Sequence, residues 1–165
     1  MDKLNRFVVF TLDEQRLALP LSATERIVRA VEVTLLPKAP EIVLGVINVH
    51  GQIIPVLNIR KLFHLPERGI DLNDRFILVN TATRTIAILA TEVYGVVERS
   101  EQEVIADQDI LPDIEYIDGA IKLEDGTIGM IIMQDFDRFL TIEETPLLNN
   151  ATRANVVGTE VVEEK

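Results

Sequence analysis

Hydrophobic residues along this chain fall in short runs separated by polar or turn-forming residues, a rhythm of strands rather than of long helices. Phe7-Val8-Val9-Phe10-Thr11-Leu12 reads as a first strand, Asp13-Glu14-Gln15 as a turn, and Leu17, Leu19 and Leu21 as a second strand alternating at period two. Pro20, which has no amide hydrogen to give, predicts an edge strand or an early end there. Ser22 to Val28 predicts one helical turn, with Ser22 as N-cap and Glu25 three residues on. Beyond the Pro37–Pro40 loop, two apolar runs flank Asn48, His50 and Gly51: strand, tight turn, strand, with Gly51 at positive φ. The second run, Ile53 to Leu57, is apolar on both faces, as in a strand covered on both sides. Asn58 is positioned to cap a short helix over Ile59 to Phe63, stopped by Pro66 and Gly69.

The later part repeats the theme. Phe76–Asn80 and Thr85–Ala90 form a hairpin across Thr81 to Arg84, and Val93, Val96 and Val97 continue as a strand. Glu101 to Pro112 is an acidic return segment. Tyr116–Leu123 and Thr127–Met133 form a hairpin about Asp125-Gly126, a pair that favours a type I′ turn. Phe136, Phe139 and Leu140 share one face of a terminal helix, and from Thr145 the pattern loses its period, predicting a mobile tail over 145–165. About ten short strands with a few short helices predict an all-β fold of barrel or sandwich type. Each half ends in an apolar hairpin followed by a short helix (45–63 and 116–140), a rhyme that two small barrels, or one split barrel pair, would satisfy.

Composition narrows the function classes. The chain has 165 residues, enough for one domain with a sizeable core, and no cysteine, which removes disulfides and thiol chemistry. Its net charge of -11 disfavours nucleic acid and anionic lipid. No apolar run reaches the roughly 18 residues of a membrane helix, and the first residues lack a signal-peptide core, so a cytoplasmic protein without membrane insertion is expected. His50 and His64 share no ligand spacing, Ser22 and Ser100 lie in no nucleophile elbow, and the glycines form no phosphate loop. The expectation is a binding protein rather than an enzyme, with neither cofactor nor metal.

The stretch Gly45 to Arg60 resembles the CheW family of bacterial and archaeal chemotaxis coupling proteins. Gly45, Asn48, Gly51, Pro55 and Arg60 match its signature, with apolar residues at 46, 49, 53, 54, 56, 57 and 59. Phe7–Leu12 and Leu17–Leu21 are similar to the family's first strands, Leu36–Pro40 to its proline loop, and Tyr116–Gly119 to a late element; the likeness covers about residues 6 to 140. The resemblance implies one CheW-like domain over 1–144, built of two small five-stranded β-barrels packed side by side. It implies a non-enzymatic adaptor that binds the regulatory domain of a CheA-type histidine kinase and the cytoplasmic tip of methyl-accepting chemoreceptors. It also implies a receptor groove near Thr24, Arg26, Ile27, Asn48 and His50. Against that, 22–28 also reads as a connector whose Ile27 and Val28 plug the core, and Gly45 and Gly51 as backbone geometry rather than contact. Pro55 reads as limiting strand pairing and leaving an edge for the kinase.

The departures set the alternatives. His50 stands where the family usually has Arg, Asn58 where it often has Asp, Arg26 where Glu is common, Thr24 where Val is usual, and Thr91 where Asp is frequent. Arg26 reverses a charge and His50 removes a permanent one. One reading is drift with a co-changed partner. Another is a divergent coupling protein of a separate, non-flagellar chemosensory system. A third is a small-molecule-binding β-barrel sharing local pattern.

Overall fold

The computed structural model describes residues 4–106 and 117–132. They form eleven strands and one short helix: β1 (Leu4–Leu12), β2 (Gln15–Pro20), β3 (Thr24–Arg29), β4 (Val43–Val49), β5 (Gln52–Leu57), α1 (Ile59–Leu62), β6 (Arg75–Asn80), β7 (Thr85–Ala90), β8 (Glu92–Ser100), β9 (Val104–Ala106), β10 (Ile117–Lys122) and β11 (Ile128–Ile132). The expected helix at Phe136, Phe139 and Leu140, and the tail at 145–165, lie outside the described residues.

The strands make two sheets. One runs β8-β1-β2-β11-β10-β9 and the other β3-β6-β7-β5-β4. Each is antiparallel except at one internal step: β11 lies parallel to β2 through Met130↔Leu17 and Ile131↔Ala18, and β5 parallel to β7 through Val56↔Ala87 and Leu57↔Ile88. Thr34 bridges Val46 on the outer side of β4, where β9 lies on the outer side of β10. The two sheets therefore share one topology, β3 answering to β8, β6 to β1, β7 to β2, β5 to β11 and β4 to β10. This is the internal rhyme of the sequence, with six strands in one half and five in the other. The five-stranded half is contiguous in the chain, while β1 and β2 are separated from β8–β11 by the whole of it.

Both sheets must roll up. Arg29 ends β3 and Thr34 already lies beyond β4, five strand positions away. Five flat spacings need about 24 Å, but five residues reach only about 17 Å. The passage from Ser100 to Val104 sets the same constraint on the other sheet. No ladder joins β8 to β9 or β3 to β4 among the described residues, so each half is a rolled sheet without a closing ladder.

Alternation along the strands then sorts the core into three. Ile77, Val79, Ile86 and Ile88 from one sheet meet Phe10, Leu12, Leu17 and Leu19 from the other in a shared central core. Their strand neighbours Phe76, Leu78, Ala87 and Leu89 fill the five-stranded roll. Phe7, Val9, Ala18 and Ile131 fill the six-stranded one. Two-sided burial is why β1 and β5 read as near-continuous apolar runs.

Several local expectations change. Thr24–Arg29 is strand β3, and Leu21–Ala23 is a 3₁₀ turn whose flanking residue is Pro20; pairing with β6 takes the residues that a helix capped by Ser22 would need. Pro20 does end β2, but β2 is an interior strand between β1 and β11. Pro55 is buried in β5, which has β4 on one side and β7 on the other, so it leaves no edge. Asn58 precedes α1 without a side-chain cap bond; its Nδ2 instead donates to the Glu67 carboxylate at 3.2 Å. The β10–β11 loop is Glu124-Asp125-Gly126 closed by Leu123 and Thr127, one residue longer than a type I′ turn, because Asp125 Oδ1 accepts from the Thr127 amide and hydroxyl.

Candidate partner-binding surface

The family signature builds one end of the five-stranded half. His50 and Gly51, at φ 51 and 85, form the two-residue turn between β4 and β5, and Asn48 Oδ1 accepts the Gly51 amide hydrogen at 2.8 Å. Positive φ at both central positions is the type I′ geometry that matches strand twist. His50 is exposed at the tip. Gly45 serves close approach: a Cβ there would overlap the carbonyl oxygen of Thr34 and sit 2.7 Å from Val33 Cγ1. Its counterpart Gly119 meets the carbonyl oxygen of Ile105 in the same way.

Thr24, Arg26 and Ile27 lie on β3, at the opposite edge of that sheet from Asn48 and His50. The ladders run Thr24↔Val79, Val79↔Ile86, Val56↔Ala87 and Val46↔Pro55, which sets Thr24 at the same end of the sheet as the His50 turn. The two groups thus share an end but occupy its two outermost strands. Thr24 Oγ1 donates to the Pro20 carbonyl at 3.2 Å. Ile27 is 40% exposed and belongs to no core cluster, so it does not plug the core, whereas Val28 packs against the interior of the roll. Arg26 and Arg29 are exposed and make no ion pair among the described residues.

Arg60 has a different place. It is 4% exposed at the start of α1 and reaches across to the other half, where its two terminal nitrogens donate to Asp13 Oδ2 and Oδ1 at 2.5 and 2.6 Å. Asp13 sits at φ 57 in the β1–β2 turn, a conformation Asp tolerates better than most residues. Arg68 extends the clamp. It donates to Asp74 at 3.0 and 2.8 Å and to Asp13 at 3.4 Å, while Thr91 Oγ1 accepts the Asp13 amide hydrogen at 2.9 Å. The hydrogen bonds and charge of Arg60, aided by Arg68, hold the Asp13 carboxyl below its ordinary range despite partial burial. Arg60 is therefore a strut between halves rather than a contact residue. Sequence reasoning missed Asp13, Arg68 and Asp74, because the turn and loop that carry them read only as polar.

A trough of about 670 Å³ is lined by the apolar Leu4, Phe7, Pro20, Leu21, Val104 and Ile131 together with Asn5, Arg6, Ser22 and Asp118. No three His, Asp or Glu among the described residues are grouped closely enough to hold a metal. No helix there is long and apolar enough to cross a membrane.

Comparison with known proteins decides the family. The CheW-like domain family matches residues 6–144, nearly the whole chain. The chain belongs to the CheW-like domain family. Chemotaxis protein CheW of Treponema pallidum is 27% identical over 155 residues, covering 90% of this chain and 89% of that one. Chemotaxis protein CheW of Thermotoga maritima is 32% identical over 109 residues, 62% of this chain and 69% of its own. The solved scaffolding protein TtCheW of Thermoanaerobacter tengcongensis superposes with a TM-score of 0.72 at 28% identity, covering 82% of this chain and 92% of that one. A chemotaxis adaptor role comes with this CheW-like membership.

Proposed function

We propose that this CheW-like chain is a cytoplasmic, non-enzymatic coupling protein that holds the regulatory domain of a CheA-type histidine kinase beside the cytoplasmic tip of a chemoreceptor. The match across both halves, 6–144, carries the reading, because a coupling protein needs two faces on one rigid body. The shared core and the Asp13–Arg60 clamp supply that rigidity: a shift at one face is passed on as a change of position rather than absorbed. The receptor-facing candidates are Thr24, Arg26, Ile27, Asn48 and His50, at one end of the five-stranded half.

The test is reconstitution with a CheA-type kinase and a chemoreceptor from the same organism. Purified chain should bind the kinase regulatory domain and a soluble receptor tip, and all three should be needed for receptor control of autophosphorylation. Binding of neither partner would sink the proposal. A second reading, a divergent coupler for a separate sensory system, is favoured by the cation at Arg26 and the loss of one at His50. It expects weak binding to receptor tips from standard flagellar systems.

A further inference from the structure

We propose that the free edge of β3 receives a carboxylate-bearing segment of a protein partner, with Arg29 and Arg26 taking the acids and Ile27 making the apolar contact. The inference rests on reading this edge as the adaptor's receptor-facing side, and adds the charge of what binds there.

Four observations carry it. First, β3 is an outermost strand, open to solvent along most of its length. Second, the register sets Arg29 directly opposite Arg75, a like-charge pair that weakens a sheet. Arg75 donates to the carbonyls of Asn73 and Asp74, and neither arginine reaches a carboxylate among the described residues. Third, Ile27 and Arg29 alternate onto the face of Ile77, at the seam between the halves, while Arg26 lies on the other face. Glu25, the one acid on the strand, bonds the Thr85 hydroxyl at 3.3 Å. Fourth, residues 24–91 carry eight Lys and Arg against six acids in a chain whose net charge is -11. An acidic protein whose edge keeps cations unneutralised among the described residues, at a cost in stability, has a use for them. Too few cations are gathered here for a polyphosphate, and the acidic remainder repels one, so a protein carboxylate with an apolar neighbour is the partner that fits.

The experiment titrates the full chain with the soluble receptor tip at low and high salt. Wild-type affinity should fall on going from about 50 to about 300 mM salt, and Arg26→Glu/Arg29→Glu should weaken it by roughly tenfold or more, with Arg29→Lys keeping most of it. Arg29→Gln should leave the melting temperature unchanged or raised. Unchanged affinity in the double reversal, or a lowered melting temperature in Arg29→Gln, would overturn the proposal while leaving the adaptor role standing. If the tip does not bind at all, a Glu/Leu helical peptide and its Lys/Leu twin serve as probes. Preference for the Glu peptide, lost in the double reversal, keeps the inference; equal binding ends it. Arginine-dependent binding to phosphatidylserine vesicles, or salt-sensitive self-association through this edge, would also overturn it.

Discussion

The two halves of this molecule have the same strand order, the same single parallel step and the same glycine at the same crossing, yet they differ in charge. The described residues of the six-stranded half, 4–23, 92–106 and 117–132, hold nine acids and four bases; those of the five-stranded half, 24–91, hold six acids and eight bases. The corresponding edge strands differ in the same sense: β3 carries Arg26 and Arg29 against Glu25, and β8 carries Glu92 and Glu98 against Arg99. Topology here is set by alternation and close approach, which both halves need. Surface charge is left to vary, and so can assign different partners to equivalent edges. That division is what a coupling protein requires of two related faces.

Variants that remove shared features should hurt most, and those that touch one edge least. Leu19→Ala, in the core common to both halves, should cost about 4 kcal/mol in chemical denaturation. Gly45→Ala and Gly119→Ala should each cost about 3 kcal/mol, since the Cβ meets backbone rather than a movable side chain. If one is tolerated and the other is not, the equivalence of the halves fails at that crossing. Asp13→Ala should cost about 3 kcal/mol by stranding Arg60 as a buried unpaired charge. Its pH signature follows from the depressed carboxyl: the stabilisation is complete above the ordinary value near 3.9 and is lost as pH falls through the lower folded value. Wild type should therefore lose stability below about pH 4 more steeply than Asp13→Asn. Glu98→Gln removes only the exposed pair with Arg6 and should cost about 0.5 kcal/mol.

Much of this fold was legible because its strands obey local rules. The β4–β5 hairpin announced itself through Gly51 between apolar runs, and the repeat of apolar hairpins foretold the two-part architecture. The failures were tertiary. Ser22 to Val28 has a helical signature that lost to pairing with β6, and Pro55 looked like an edge residue only until β7 covered its strand. Of the site, the exposed Arg26, Ile27 and His50 stood in the family signature and its neighbourhood. Arg29 did not, because its meaning lies in Arg75 opposite, a register that no local pattern states. The Asp13–Arg60 clamp was invisible for the same reason, its partners being 47 residues apart.

The way one half is threaded into the other bears on how the chain is made. Residues 24–90 contain every strand of the five-stranded roll, so that half can form as soon as β7 leaves the ribosome. The β1–β2 hairpin, made first, must wait for β8 and β11 before its outer sides are covered. A translation product stopped near residue 91 would keep one complete roll with an orphaned hairpin exposing Phe7, Val9 and Ala18, a ready substrate for chaperones or self-adhesion.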